Sequence, residues 1–418
     1  MTALPIESFS QPNVTIRPGR PGVYGPALEI TSPLMPDPLR VELKDESVIR
    51  DRSARLGASI SEAIEELRSR PNTTPRGTSR LLNAIAGAAD IFLGYVLREQ
   101  KQVVDIADFF RRACPSVGNP QAPVPVVHIV VGSEDYFPWE LMPLFGYDMI
   151  DAEDKLGVDM ACRTFLGFSC IVERRHSDWS EARNYLSGWF AIPVRMIYNA
   201  KFEGARAELG FFQAQDNVVL EGPYPRCVRD RAAPSLARQL VDPRIGIDGL
   251  AREWKDEIVH ISCHCDAKPG SDSDEFSFYF ADDHHDGEEV SVSLSNLLGE
   301  MVGIWRGRGG AEAAKSEMPF VFLNACGTSA LDPGSAASFL KPFYGNRNRG
   351  IVATAANVTD RMAADVSKWF YTELFSGCSI GEALHLAKWR LLQDRGNPLG
   401  LLYSVHALAD LRILPVPQ

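Results

Sequence analysis

At 418 residues the chain exceeds the usual size of a single hydrophobic core, so two units, or one large unit with a helical annex, are expected. Hydrophobic residues make up 45% and charged residues 23%, a balance that excludes wholesale disorder and fibrous architecture. A formal charge of -11 without any run of Lys and Arg excludes direct nucleic-acid binding, which needs clustered cations facing phosphate.

The opening stretch, MTALPIESFSQPNVTIRPGRPG, has prolines where a signal peptide needs an unbroken apolar segment. The most apolar helical window, Leu81 to Leu97, is interrupted by Asp90. A cytoplasmic protein with no membrane partner is therefore expected. Pro5, Pro12, Pro18, Pro21, Pro26, Pro33, Pro36 and Pro38 predict a Pro-rich arm over residues 1–45, without regular ladders. Residues 46–115 are expected to form a helical unit. Val48, Ile49, Leu56, Ile60, Ala63, Ile64 and Leu67 follow helical spacing from Glu46 to Arg70. A second helix is predicted from Ser79, as N-cap, to about Gln100, and a third from Val103 to Ala113.

Beyond the Pro- and Gly-rich CPSVGNPQAPVP the pattern changes. VPVVHIVVG is a short apolar, β-branched run of the kind found in strands buried on both faces. Similar runs recur at PVRMIYNAKF, NVVLEGP, DEIVHISCH, MPFVFLNAC and GIVATAANV. GARAELGFFQAQ, SLARQLVD and SNLLGEMVGIW supply helices between them. Alternation of this kind predicts an α/β fold, a doubly wound and mostly parallel sheet with helices on both faces. The domain so defined is placed at residues 122–418.

Two strand ends carry reactive side chains. The DEIVHISCH run ends at His264 and the MPFVFLNAC run at Cys326, so parallel neighbours would bring both to one edge of the sheet. A thiol with a pKa near ~8.5 is a poor nucleophile at neutral pH until a base takes its proton. His264 can do this for Cys326 and later protonate a leaving amine. Backbone N–H groups near Cys326 could hold an oxyanion, and Ala325 and Gly327 leave room for a substrate backbone. The plainer reading makes Cys326 a small buried hydrophobe and His264 a structural hydrogen-bonder. His260, four residues earlier in the run, reads as core.

The eight cysteines, at 114, 162, 170, 227, 263, 265, 326 and 378, show no disulfide framework and are expected to be reduced. Cys263, His264 and Cys265 form a triplet that invites a zinc reading. Adjacent strand residues point to opposite faces, however, and structural zinc sites space their ligand pairs by two to four residues, so no metal is expected.

The ordered motifs resemble the CHAT proteases, relatives of caspases, separases and gingipains, over about residues 122 to 415. PWELMPL at Pro138 to Leu144 resembles the family's Pro-Trp-Glu motif, HISCHC its catalytic-His strand and FLNACGT its nucleophile strand. ATAANVTDRMAAD, LFSGCSIGEALHLAKWRLL and NPLGLLYSVHAL resemble the segments that follow. The resemblance implies a cysteine endopeptidase acting on a protein substrate, with Cys326 as nucleophile, His264 as base and no cofactor. It also implies the setting, bacterial defence or regulated cell death under a regulatory partner protein. Relatives carry Gly after the catalytic His, whereas here Cys265 and Asp266 follow, so the oxyanion donors are expected to be the backbone N–H groups of Cys265 and Cys326.

Within the Val-Thr-Asp stretch, Asp360 and the nearby Asn357 match positions beside the pocket for the residue before the scissile bond. Alternatively, Asp360 caps the helix running from Arg361 to Phe375. Trp139 and Glu140 read as packing and a framework contact. The acidic stretch from Lys268 to Glu289 reads as a solvated loop that shapes access and is open to autocleavage, with calcium as the lesser alternative. The departure at Cys265 leaves a second reading, a non-catalytic scaffold of the same fold that binds partner proteins.

Overall fold

The computed structural model describes residues 11–21, 25–68, 73–119, 121–131, 137–146, 152–176, 185–188, 190–224, 232–246, 248–267, 276–281, 289–307, 318–326, 340, 342–355 and 358–414. The chain opens with strands β1 (Val14–Pro18), β2 (Ala27–Ser32) and β3 (Met35–Glu42). Helices α1 (Glu46–Arg68), α2 (Pro75–Val96) and α3 (Lys101–Ala113) follow. Then come β4 (Val126–Val131), α4 (Lys155–Cys162), α5 (Leu166–Ser169), β5 (Ile171–His176), β6 (Tyr185–Leu186) and β7 (Ile192–Tyr198). They are succeeded by α6 (Glu203–Gln213), β8 (Val218–Tyr224), α7 (Ala232–Val241), β9 (Ile258–Ala267), β10 (Phe276–Ala281) and β11 (Glu289–Ser293). The last elements are α8 (Leu294–Gly307), β12 (Met318–Cys326), β13 (Asn348–Thr354), α9 (Asp360–Phe375), α10 (Ile380–Arg395), β14 (Tyr403–Ala407) and β15 (Arg412–Ile413).

Among the described residues, 13 strands make one sheet. It consists of two parallel blocks that run in opposite directions. One is β8-β7-β9-β12-β13 and the other β14-β5-β4-β1; they meet where β13 pairs antiparallel with β14. Antiparallel ribbons, β10-β11 and β2-β3, extend the blocks. The α/β, mostly parallel architecture expected from the alternating runs is what the chain adopts.

Strand alternation sends side chains to two separate cores. Ile258, Phe320, Phe322 and Val352 face the first core, with Phe212 of α6, Val366 and Phe370 of α9, and Leu391 of α10. Val259, Ile261, Val321, Leu323 and Ile351 face the second, with Leu236 of α7 and Leu297 of α8. Helices therefore cover both faces, which is why residues 318–323 of β12 and 350–353 of β13 read as continuous apolar runs. Burying one such Phe or Leu contributes about 1.5–3 kcal/mol.

The N-terminal region differs from the ladder-free arm that its prolines predict. β1, β2 and β3 form a three-strand extension of the sheet, with β1 parallel to β4 and antiparallel to β2. Pro36 and Pro38 are accommodated because β3 ends the strand order, and an edge strand needs no amide hydrogens on its outer side. Leu56 of α1, Leu82 and Phe92 of α2 and Phe110 of α3 join the first core, so the helices share it with the sheet. The second helix starts earlier than expected: Thr74 is its N-cap, accepting from the Gly77 N–H at 3.2 Å, and Pro75 opens it. Ser79 lies inside that helix and donates its hydroxyl to the Ala152 carbonyl at 3.4 Å.

Candidate active site

The site is built on the parallel pair β9 and β12. Seven residues stand in register, from Phe320 opposite Ile258 to Cys326 opposite His264. The expected edge therefore forms, and the two candidate residues occupy its last rung. The strand carrying His264 does not stop there. β9 continues to Ala267, and on its edge away from β12 its final residues pair antiparallel with β10, Tyr279 opposite His264 and Phe278 opposite Cys265.

His264 is half-buried among aromatic neighbours. Its ring centroid lies 5.7 Å from that of Tyr279 and 6.3 Å from that of Phe202, the residue that leads into α6. Cys263 and Cys265 point the other way, into the second core, with relative exposures of 2% and 0%. The triplet is thus split across the sheet and its thiols cannot converge on the imidazole. Among the described residues no group of three His, Cys, Asp or Glu side chains is placed to hold a metal. β13 is tied to the end of β12 by the buried Thr354 hydroxyl, which donates to the Ala325 carbonyl at 3.2 Å.

Asp360 does not take the capping position that the alternative reading gave it. Its own helix, α9, is capped by Thr359, whose hydroxyl accepts from the Met362 N–H at 3.3 Å. The Asp360 carboxylate instead accepts the Gly204 N–H at 2.7 Å, and also bonds the Ala205 backbone, at the start of α6. Burial raises its pKa, while those two backbone bonds pull the other way. Asn357 and most of the acidic stretch from Lys268 to Glu289 lie outside the described residues.

Beneath the last rung lies a polar cluster that sequence reasoning missed. Glu208 of α6, 2% exposed, accepts hydrogen bonds from the Asn324 amide, the Ser367 hydroxyl at 2.6 Å and the Ser262 hydroxyl. His260 lies alongside it, Nε2 to carboxylate oxygen 3.3 Å. Tyr403 donates to the other side of Asn324 at 2.8 Å, and His260 Nδ1 meets the Tyr371 hydroxyl at 3.2 Å. Burial pushes the Glu208 carboxyl up, but the imidazole and the hydroxyls outweigh it and hold the group below the ordinary carboxylate value. His260 is core, as expected, yet it is core beside a buried anion. The available signal was the set of polar residues, His260, Ser262 and Asn324, inside two otherwise apolar strands.

Glu140 serves as the framework contact its motif suggests. Glu140 and Arg174, both buried, form a two-point ion pair, Nη2 to Oε2 at 2.6 Å, and Arg174 also donates to the Phe137 carbonyl at 3.2 Å. Trp139 is fully buried.

Residues 227–404 match the family model of the CHAT domain. The matched segment is under half of the chain. His264, Cys326 and Asp360 lie inside the matched segment, whereas α6 with Glu208 precedes it. A bacterial protein of Vitiosangium sp. (strain GDMCC 1.1324), named as a probable protease, is 30% identical over 97 residues, which is 23% of this chain and 13% of that protein. Among solved structures, the Saccharomyces cerevisiae separase-securin complex matches twice, at 2.6 and 3.0 angstrom resolution, with 12% sequence identity and TM-scores of 0.46 and 0.40. Each match spans 96% of this chain and 30% of the other. Among the described residues no helix is long and apolar enough to cross a membrane.

Proposed function

We propose that this chain is a CHAT-domain cysteine endopeptidase in which Cys326 is the nucleophile and His264 the base. The observation that carries the reading is the pairing of Cys326 with His264 at the last rung of the parallel β9–β12 ladder. Further support comes from the CHAT match over residues 227–404 and from the bacterial relative named as a probable protease.

In this reading His264 accepts the thiol proton, and the thiolate attacks a peptide carbonyl carbon to form a tetrahedral adduct. The backbone N–H groups of Cys265 and Cys326 hold the developing oxyanion. The carbon–nitrogen bond then breaks as His264 returns its proton to the leaving amine. A water molecule, deprotonated by the same imidazole, hydrolyses the thioester and restores the thiol. The chemistry proceeds without a cofactor. Asn357 and Asp360, after β13 and at the start of α9, stand beside the substrate residue that precedes the scissile bond.

The substrate is a specific protein and the setting bacterial defence or regulated cell death in the cytoplasm. The helical unit of residues 46–115, which follows the arm of residues 1–45, or a partner protein, restrains the peptidase domain of residues 122–418. The test compares cell extracts treated with wild type and with Cys326→Ala. Protein cleavage present with the first and absent with the second is expected; identical cleavage with both would overturn the reading. Labelling with an electrophile separates a peptidase from a scaffold, since only a peptidase has Cys326 react faster with His264 than without it.

A further inference from the structure

The buried carboxylate of Glu208 lies below the proposed dyad and is reached from four elements. It belongs to α6; Ser367 donates from α9, Ser262 from β9 and Asn324 from β12. Ser262 and Asn324 are register partners, on the rung two residues before the one that pairs His264 with Cys326. One anion therefore bridges the two strands two residues before the rung of Cys326 and His264. The same helix begins beside the site: Phe202 packs near the His264 ring, and Gly204 is bonded to Asp360. Tyr403 holds the far side of the Asn324 amide, which fixes that side chain from both ends.

A charge placed here is costly. Burying a carboxylate carries a large desolvation penalty, and an apolar side chain of similar volume would fill the space without it. What the anion does and an apolar group cannot is take several donors from different strands at defined angles. The Ser262–Asn324 rung lies two residues before the pair Cys326 and His264, and at His264 β9 also takes up β10 on its other edge, so a fixed rung here sets the register where both edges of β9 are paired. We propose that Glu208 is a positioning residue for the reaction, holding Asn324 and Ser262 so that Cys326 and His264 keep their register. This rests on the dyad assigned above.

The test is the pH profile of iodoacetamide alkylation at Cys326, read by mass spectrometry of the peptide containing it. The series comprises wild type, His264→Ala, Glu208→Gln, Asn324→Leu and Tyr403→Phe, each checked for folding by near-UV circular dichroism. Positioning predicts that the midpoint rises toward that of an ordinary thiol in Glu208→Gln and Asn324→Leu. Each unit of rise slows alkylation at pH 7 about tenfold. A purely electrostatic effect has the opposite sign, because removing a nearby negative charge in Glu208→Gln would favour the thiolate and lower the midpoint. Folded Glu208→Gln and Asn324→Leu variants with an unchanged or lowered midpoint overturn the proposal. If those two fail to fold, Tyr403→Phe decides: a raised midpoint supports positioning and a wild-type profile overturns it. His264→Ala tests the dyad separately. A wild-type profile indifferent to His264 removes the dyad and the positioning role together, whereas a His264-dependent profile with no effect at Glu208 removes only the latter.

Discussion

Asp360 caps a helix that is not its own, its carboxylate accepting the Gly204 N–H at 2.7 Å across a sequence gap of 156 residues. The contact joins the start of α6, which carries Glu208, to the start of α9, which follows β13. Two supports of the site are thereby tied at a single point.

Replacing Asp360 with Ala removes the acceptor for the first turn of α6 and should cost about 1 kcal/mol, measured by urea unfolding. The charge gives a second test. Because burial raises the folded-state pKa of Asp360 above its ordinary value of 3.8, the folded protein holds a proton that the unfolded chain has already released. The contribution of this group to stability is greatest below pH ~4 and declines as pH rises through the folded value. Relative to Asp360→Asn, wild type should lose melting temperature as pH rises above about 4. A difference independent of pH would contradict the raised value.

Glu140→Ala should be among the most damaging substitutions away from the site. It would strand the Arg174 guanidinium, 7% exposed, without its counter-ion, at a cost of about 3–5 kcal/mol in chemical denaturation. A change below about 1 kcal/mol would mean that Arg174 finds water or another partner.

His385 gives a pH test remote from the chemistry. Burial, with Lys388 and Arg163 nearby, lowers its pKa from 6.5 to about 3. It accepts the Trp389 indole N–H at 3.2 Å, which requires an unprotonated Nε2. The unfolded chain binds this proton below pH 6.5 and the folded protein does not, so stability should fall as pH drops from 6.5 toward 3. The slope from this residue is at most about 1.4 kcal/mol per pH unit. His385→Gln should flatten the curve by that amount; superimposable curves would show that the group titrates normally in the fold.

Gly350→Ala tests the junction of the two parallel blocks. Gly350 of β13 stands opposite Ala407 of β14, and a methyl group there would run into the Ala407 side chain, with the Ala407 Cα only 3.2 Å away. Separation of the strands should lower stability by about 1–3 kcal/mol, as for other overpacked positions. Ala407→Gly in the Gly350→Ala background should recover part of the loss. No recovery would place the strain elsewhere.

The α/β class was legible in the residues alone, because strands buried on both faces are apolar at nearly every position, as in MPFVFL. The sequence also determined the edge where Cys326 and His264 pair, since each closes such a run and parallel neighbours end together. Tertiary structure alone decided the rest. Strands β1, β2 and β3 form because an edge position lets β3 carry prolines that forbid an interior one. Asp360 became the cap of α6, and Glu208 the buried centre of a polar cluster, although a Glu on an amphipathic helix reads as solvated. In each case the deciding partner lies on another element, and local propensity and spacing carry no information about which distant donor an acceptor will meet.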